Sequence, residues 1–420
     1  MIPAPQALTT PRLRECPDCG QVQTVPAMPP AARAVCLRCD AVLRHTRQDP
    51  LRLPLALNLA ALVLFGLSAG MTLMSVSTAG RDRIASLFTG PAGLEQQGLW
   101  ELSAVVLFTT VAAPLGRVGC MALVLAGLRL PHPPRALRTI YGWVEHLRPW
   151  SMVEIYLLGV FVAYVRLKAI VHIDLGTALY ALAALMVTMI AADVALDEQA
   201  VWEAMDQRAP HPNRRRAGAL GRRLWRMGCD TCGAVSRAAE GTLCPRCGFG
   251  LRHRKPDSVA RTWALSLAAV LLYIPANTYP VLTVIQFGAG EPSTILGGVQ
   301  ELLEAGMWPL AALVFFASIA VPVMKLVGLA ILLISTQRGS IGHLRDRTFL
   351  YRIVDAIGRW SMIDIFMGSI LVALVQFGAI VTINPGVGAI AFAAVVILTM
   401  LAARSFDPRL MWDRAAGAHA

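Results

Sequence analysis

Long apolar segments alternate with arginine-rich segments along the whole chain. Eight segments stay apolar over roughly the length that a membrane-spanning helix requires, which is about 20 residues. They cover residues 54–76, 99–128, 151–168, 175–195, 262–284, 305–335, 361–382 and 386–403. The pattern predicts eight membrane-spanning helices. The segments 99–128 and 305–335 are long enough that we expect them to tilt, kink or protrude from the bilayer.

The composition agrees with a polytopic integral membrane protein of the all-α class. Of the 420 residues, 56% are hydrophobic and only 15% are charged, and the mean hydropathy is +0.57. A soluble domain usually has about 25% charged residues. The N-terminal segment lacks the apolar core and the small-residue cleavage site of a signal peptide, so the first span itself is expected to direct insertion.

The distribution of arginine predicts the orientation in the membrane. Arginines are concentrated before the first span, between spans two and three, in the central linker and between spans six and seven. The opposite loops carry few basic residues, and Arg166 and Lys168 at the far end of span three are the main exceptions. The positive-inside rule therefore places both termini in the cytoplasm. We interpret the net charge of +12 as a topology signal and as attraction to anionic lipid headgroups; a nucleic-acid partner is not expected.

The chain contains two copies of one unit. The segment RPWSMVEIYLLG (Arg148–Gly159) matches GRWSMIDIFMGS (Gly358–Ser369) at an offset of 210 residues. Leu57–Phe65 matches Leu265–Tyr273, and Gly98–Arg117 matches Gly306–Lys325, at an offset of 208. Each copy begins and ends on the same side, which predicts two parallel repeats related by an axis along the membrane normal.

Eight of the nine cysteines form two four-cysteine sets. The spacings are C-x2-C-x16-C-x2-C and C-x2-C-x11-C-x2-C, at Cys16, Cys19, Cys36 and Cys39 and at Cys229, Cys232, Cys244 and Cys247. Two facing CxxC turns close a tetrahedral thiolate shell, so the pattern favours two structural Zn(II) ribbons. Glycines beside the turns suit a tight knuckle. Redox-active CxxC pairs and an iron or iron–sulfur site are the alternatives.

Polar residues inside the spans are the candidates for transport chemistry, because ionisable groups there are costly. In the second span of each copy, Pro114 precedes Arg117 and Pro322 precedes Lys325 by three residues. Glu154 and Asp364 lie about one turn inside the third spans, so we expect the intramembrane ion pairs Arg117–Glu154 and Lys325–Asp364. Each pair is either a purely structural salt bridge or a functional relay or ligand contact. Since lysine changes its charge more readily than arginine, the second copy is the better candidate for proton coupling.

Two further sequence features concern the polar residues of the spans. The stretch YIPANTYP (Tyr273–Pro280) has prolines on both sides of Asn277, which predicts a broken helix that exposes backbone to a cavity. The first copy has no proline there. In the Trp-Ser-Met repeats, the serine, Ser361 in the second copy, and the carboxylate after it are expected to cap the third span and to meet the base of the second.

These motifs together resemble the paraquat-inducible protein A family, which includes the A component of lipophilic envelope-spanning tunnel systems. The resemblance rests on the twin ribbons, the four-span repeat, YIPANTYP, the P-x-x-K of Pro322–Lys325, WSMID (Trp360–Asp364) and SFDPRLMWD (Ser405–Asp413). It implies a multi-pass protein in the inner membrane of a diderm bacterium, with tetraspanin-like four-helix bundles. It also implies phospholipid transport with a periplasmic MCE-domain tunnel protein. Lys325, Ser318 and Asp364 are the positions that it singles out, and Arg117 departs from its pattern.

The resulting organisation has five parts. We predict a first ribbon over 1–50, four spans over 51–203, a basic linker with a second ribbon over 204–256, four spans over 257–404 and a cytoplasmic tail over 405–420. No G-x-x-x-x-G-K-[ST] motif occurs in the chain, and we expect a transport component rather than an enzyme. A thiol- or zinc-responsive membrane sensor and a passive anchor for the tunnel are the competing functions.

Overall fold

The computed structural model describes residues 12–78, 81–168, 172–208, 225–286, 289–358, 360–374 and 381–417. These residues are mostly helical, and seven of their helices are long and apolar enough to cross a membrane. The third predicted span is a helix of 16 residues, Val153–Lys168, and is not among the seven. The chain is therefore a multi-pass membrane protein.

The first half of the chain follows a fixed order of elements. Its N-terminal ribbon contains β1 (Arg12–Glu15), β2 (Val22–Val25), β3 (Arg33–Val35) and β4 (Val42–His45). The membrane part contains α1 (Arg52–Gly70), β5 (Met74–Thr78), β6 (Arg81–Ala85), α2 (Thr89–Gln96), α3 (Trp100–Leu107), α4 (Ala113–Gly127), α5 (Ala136–Leu147), α6 (Val153–Lys168), β7 (His172–Leu175), α7 (Thr177–Ala195) and α8 (Glu198–Arg208).

The second half repeats this order. Its ribbon contains β8 (Trp225–Gly228) and β9 (Val235–Ala238). The membrane part contains α9 (Ser258–Thr278), β10 (Leu282–Gln286), β11 (Ala289–Ser293), α10 (Ile295–Glu304), α11 (Trp308–Phe315), α12 (Val321–Gln337), α13 (Leu344–Ile357), α14 (Ile363–Leu374), β12 (Val381–Pro385), α15 (Val387–Ser405) and α16 (Arg409–Gly417). The repeat of the sequence is thus a repeat of the fold.

The two halves meet through α6 and α14, the helices that follow the Trp-Ser-Met motifs. Gly159 of α6 permits the close approach, because a Cβ atom there would lie 3.0 Å from the Cβ of Phe366 and 3.2 Å from the backbone nitrogen of Met367. Within each half, the first and last long helices, α1 with α7 and α9 with α15, pack along each other. One apolar core cluster extends through both halves.

Each half also carries a three-stranded antiparallel sheet, which corrects the expectation of an all-α protein. In the first half β5 lies between β6 and β7, and in the second half β10 lies between β11 and β12. Met74 pairs with Ala85 on one side and Leu175 on the other. The predicted spans 54–76 and 262–284 included the starts of β5 and β10, whereas α1 ends at Gly70 and α9 at Thr278.

The helices α5 and α13 were expected to be loops. Both are amphipathic: α5 buries Leu137, Tyr141 and Val144 and exposes Trp143, whereas α13 buries Val354 and exposes Phe349. Each follows a long transmembrane helix on the side of the molecule that carries the ribbons. They form part of the surface on which the ribbons dock.

Candidate functional sites: two four-cysteine centres and a buried lysine

Four nearly identical knuckles present the cysteine thiols. In each CxxC turn the first cysteine's carbonyl accepts a hydrogen bond from the residue four positions later, with N···O distances of 2.8–3.0 Å. That residue has a positive φ in every turn: 71° at Gly20, 59° at Asp40, 64° at Gly233 and 81° at Gly248. Glycine adopts this conformation without steric cost and aspartate tolerates it. The sequence prediction of tight knuckles is confirmed.

The two cysteine sets form compact, buried clusters that could each hold a metal ion. In each cluster the four sulfur atoms lie within 4.8 Å of one another, and no cysteine of either set is more than 5% exposed. The Sγ–Sγ distances are 3.5 Å for Cys16–Cys39 and for Cys229–Cys247. A tetrahedral shell with metal–sulfur bonds of about 2.3 Å has edges of about 3.8 Å. The donor set and its size therefore fit a four-coordinate metal.

The first ribbon (residues 12–45) packs against the second half of the chain. Its cysteines share a core cluster with apolar side chains from α12, the segment after α15, and α16, namely Leu332, Leu333, Phe406, Met411 and Trp412. The guanidinium carbon of Arg38 lies 4.4 Å from the centre of the Trp412 ring. Arg44 pairs with Asp197 at 3.2 Å and Glu203 at 3.0 Å, so the same ribbon also contacts the end of the first half.

The second ribbon (residues 225–251) packs against the first half. Its cysteines share a cluster with apolar side chains from α4, α5 and α8, among them Leu125, Tyr141, Val144, Trp202 and Met205. Arg246 lies 5.8 Å from the centre of the Trp202 ring. Arg246 and Arg38 occupy the same position in their knuckles, two residues after the first cysteine. The docking is therefore crossed: the cysteine cluster of each ribbon packs against the membrane part of the other half.

The two ribbons also contact each other. Glu15 of β1 accepts hydrogen bonds from Arg254 at 3.3 Å and Arg409 at 3.4 Å, and from the backbone nitrogen of Gly228. Arg409 in turn pairs with Asp230 at 3.4 Å. The Glu15 side chain is only 7% exposed, so this ionic cluster is buried in the interface between the two ribbons and α16.

In the second half, Lys325 lies buried among membrane-spanning helices. Only 1% of it is exposed. Its ammonium donates to the carbonyl oxygen of Gly358 at 3.0 Å and to Oγ1 of Thr399 at 3.4 Å. The expected Lys325–Asp364 ion pair is wrong, because the ammonium is directed to the start of the Trp-Ser-Met turn and to α15. Thr399 was not singled out from the sequence, since a single threonine in an apolar run carries no distinctive signal.

Asp364 instead contacts the Ser318 hydroxyl, whose oxygen also lies 2.6 Å from the carbonyl oxygen of Val314, so the single hydroxyl hydrogen is shared between two acceptors. Ser318 lies in a π-helical turn, Phe316–Ala320, directly before α12. Pro322 has no N–H for the carbonyl of Ser318, four residues earlier, so the proline and the π turn occur together. Ser361, fully buried in the turn Trp360–Met362, packs against the same helices. The predicted residues are thus neighbours, but their pairing differs.

In the first half, the basic residue at the position equivalent to Lys325 has a different partner. A π-helical turn, Phe108–Ala112, again precedes the proline, Pro114. Arg117 pairs with Asp193 of α7, not with Glu154 as expected. At the offset of 210 residues that aligns α7 with α15, the position of Asp193 is occupied by Ala403. Asp193 could have been found from the sequence, since it is an acidic residue inside an apolar run.

The prediction of a broken helix around Asn277 is also wrong. The helix α9 is continuous through Pro275 and ends at Thr278. The Asn277 side chain donates to the carbonyl of Tyr273 at 2.8 Å. It therefore stabilises the last turn of its own helix, close to the point where proline removes a backbone donor.

Two cavities lie at equivalent places beside α6 and α14. The cavity of the second half has a volume of about 100 Å³ and is lined by Asp364, Met367 and Phe392, and by Leu94 and Leu102 from the first half. The cavity of the first half has a volume of about 750 Å³ and includes Glu154 in its wall. The two carboxylates occupy matching positions in the repeat. The same scaffold site therefore holds a small cavity in one half and a large one in the other.

Comparisons with known proteins agree with the architecture. The model of the family described as paraquat-inducible protein A matches residues 51–206 and again residues 259–416. The chain belongs to the paraquat-inducible protein A family. Among its relatives, the intermembrane transport protein PqiA of Escherichia coli strain K12 is 33% identical over 95% of both chains. The lipophilic envelope-spanning tunnel protein A of the same organism is 31% identical, over 95% of this chain and 91% of that one. No solved structure matches.

The double match confirms both the resemblance and the internal repeat that were inferred from the motifs. Each matched segment begins after a ribbon and covers the helices from α1 or α9 to the short final helix. Family members therefore share the repeated membrane unit, in which the Lys325 and Arg117 sites occupy corresponding positions.

Proposed function

We propose that the protein is the inner-membrane component of a system that moves phospholipids between two membranes, and that it is a transporter rather than an enzyme. Membership in a family whose members are named as intermembrane transport proteins supports the transport role. The observation that links transport to a particular site is the environment of Lys325. Its side chain is buried among membrane helices, and its ammonium contacts only neutral oxygens among the described residues.

The proposed architecture has eight spans in two parallel four-helix units, with both termini and both ribbons in the cytoplasm. The common element order of the halves and the arginine-rich loops on the ribbon side support it. We count α6 and α14 as spans because each connects the ribbon side to the side of the three-stranded sheets. Those sheets would then face the periplasm, where they are available to an MCE-domain tunnel protein.

We propose that Lys325 changes its protonation state during transport. A charge in a low-dielectric interior is costly, and lysine can lose it where arginine cannot. Thr399 and the carbonyl of Gly358 can accept from the protonated amine. Ser318 links the neighbouring π turn to Asp364. In the first half an arginine, Arg117, occupies the corresponding position and pairs with Asp193, so we assign the proton exchange to the second half.

We propose that both clusters hold Zn(II) as structural ions. Four buried thiolates satisfy zinc and leave no open coordination position for catalysis. When bound, the metal would fix the knuckles whose outer faces dock on the two halves. The burial of all eight thiols also argues against the alternative of a thiol sensor, because an oxidant must reach the sulfur atom.

The test is lipid transfer by the full-length protein together with the MCE-domain protein that co-purifies with it. Lys325→Ala and Lys325→Arg should both abolish the transfer of a labelled phospholipid out of proteoliposomes, since neither side chain can exchange a proton at this site. Arg117→Lys is the matched control and should retain transfer. A Lys325→Arg protein with wild-type transfer would refute proton exchange, and a preparation without any MCE-domain protein would refute the tunnel partner.

A further inference from the structure

The open cavity of the first half is a groove between α6 and α7. Its walls include Leu158, Phe161, Leu179 and Met186, and Trp360 of the second half closes one end. Phe161 is 58% exposed and Tyr180 is 66% exposed. Because α7 is a membrane-spanning helix, these aromatic side chains face lipid rather than water. The volume of about 750 Å³ is within the range of sites for extended apolar ligands.

The groove has a defined length and direction. The helix α6 starts on the ribbon side, directly after the α5 segment that contacts the second ribbon, and ends beside β7. From Glu154 to Tyr164, the two limits of the groove on this helix, ten residues rise about 15 Å. That distance is half of the roughly 30 Å hydrocarbon core of a bilayer. One acyl chain of a single leaflet would therefore fill it.

A basic residue stands at the end of the groove beside the sheet. Lys168 is exposed, and its ammonium lies 5.7 Å from the centre of the Tyr164 ring, which is part of the groove wall. Lys168 is also one of the two residues that depart from the positive-inside distribution. A cation at the depth where the headgroups lie can bind a phosphodiester, and its distance from the groove end suits a headgroup attached to a chain inside it.

The equivalent place in the second half is occupied by side chains of the first half. There α2 of the first half lies against α14: a Cβ atom on Gly93 would lie 3.2 Å from the Cα of Ala373, and one on Gly90 would lie 3.2 Å from Oγ of Ser369. Leu94 and Leu102 then fill the space down to about 100 Å³. In the first half the described residues place only Trp360 across the groove.

We propose that this groove binds a phospholipid of the leaflet on the sheet side, with one acyl chain between α6 and α7 and the phosphate at Lys168. The assignment of that leaflet as periplasmic rests on the proposed function. The site would be where a lipid first leaves the bilayer.

The test uses the full-length protein in nanodiscs that contain a phospholipid with a photoreactive diazirine in one acyl chain. After illumination, adducts are mapped by mass spectrometry. We expect them to be concentrated on 154–164 and 179–186. Ala183→Trp fills the groove and should reduce these adducts several-fold, whereas Ala184→Trp, on the exposed face of the same helix, should not. Lys168→Glu should reduce them several-fold, and Lys168→Arg should retain them.

Adducts spread evenly over the outward faces of α1, α7 and α9, or unchanged in Ala183→Trp, would show boundary lipid only and overturn the proposal. Equal labelling of the Lys168→Glu protein would overturn the phosphate contact. Lipid transfer measured on the same preparations separates the two hypotheses. Transfer without groove labelling overturns the groove alone, and groove labelling in a wild-type protein that transfers no lipid overturns the proposed function alone.

Discussion

If each ribbon docks on the other half, a substitution in one half should release the ribbon of the other half. Ribbons that docked on their own halves would give the opposite result. Trp202, at the end of the first half, is 1% exposed and packs edge-to-face on Tyr141 with ring centres 5.0 Å apart. It also lies under Arg246 of the second ribbon. We predict that Trp202→Ala will release the second ribbon and leave the first ribbon docked, although the first ribbon belongs to the same half in sequence.

The size of the effect follows from the burial of the ring. Replacing a buried tryptophan by alanine costs about 3–5 kcal/mol, which lowers the docking equilibrium by at least about two orders of magnitude. A structural zinc ion contributes about 10–16 kcal/mol to its own module. The ribbon should therefore remain folded around its metal while it leaves the surface. Loss of docking without loss of metal is the expected signature.

Hydrogen exchange on the full-length protein, read by mass spectrometry, measures this directly. In Trp202→Ala, backbone amides of 225–251 should exchange faster and those of 12–45 should stay protected. Trp412→Ala should produce the reverse, since Trp412 lies under Arg38. Trp143→Ala is the control, because Trp143 is on α5 but 57% exposed. Faster exchange of 12–45 in Trp202→Ala, with 225–251 unchanged, would refute crossed docking.

Three further predictions concern the buried charges and the metal centres. Lys325→Met should raise the free energy of unfolding by about 1–3 kcal/mol, because it removes a buried charge that pairs with no carboxylate among the described residues. Arg117→Met should lower the free energy of unfolding by about 1–2 kcal/mol, because it removes the ion-pair partner of Asp193. Thermal melts followed by tryptophan fluorescence measure both changes, and shifts of the same sign would contradict them. Burial and the nearby Glu198 charge raise the pKa of Glu145 on α5 to about 7, so ionisation of Glu145 destabilises the fold progressively from about pH 4.5 to pH 7 and fully above pH 7. Glu145→Gln should therefore stabilise the protein at pH 8 but not at pH 4, whereas the exposed control Glu95→Gln should have no such pH-dependent effect. A gain in stability that is independent of pH would argue against ionisation of Glu145 as its cause. Elemental analysis should find that Cys244→Ser reduces bound zinc from two ions per chain to one, whereas the control Cys120→Ser retains two. An unchanged number of zinc ions per chain in Cys244→Ser would exclude the four-thiolate shell.

Local patterns in the sequence predicted much of this structure correctly. The CxxC spacing predicted both four-cysteine clusters, and the apolar segments predicted the positions of the long helices to within a few residues at most ends. The repeat of the Trp-Ser-Met motif correctly related α6 to α14. These features depend on residues that are near in sequence or that carry a distinctive residue type, so one chain suffices to detect them.

The two incorrectly predicted ion pairs have a common physical cause: equal depth in the membrane does not mean that two side chains face each other. Arg117 and Glu154 lie at similar depths, but α4 directs Arg117 to Asp193 on α7. Which faces of two helices meet depends on packing at a distance in sequence. The strands β5 and β10 were missed for a related reason: their apolar residues continue the apolar run of the preceding helix and pair with strands on the other side of further helices.

The asymmetry between the halves can be traced to a few substitutions in an otherwise repeated unit. Two bases follow equivalent prolines, but the position of Asp193 is occupied by Ala403 in the second half, so Arg117 has an acidic partner and Lys325 has none among the described residues. Gly93, whose counterpart in the second copy is Glu301, lets α2 lie on α14 beside the smaller cavity. Packing of α14 against both α6 and α2 thus leaves a small cavity that includes Asp364 in the half with Lys325, and a large groove in the half whose arginine pairs with Asp193.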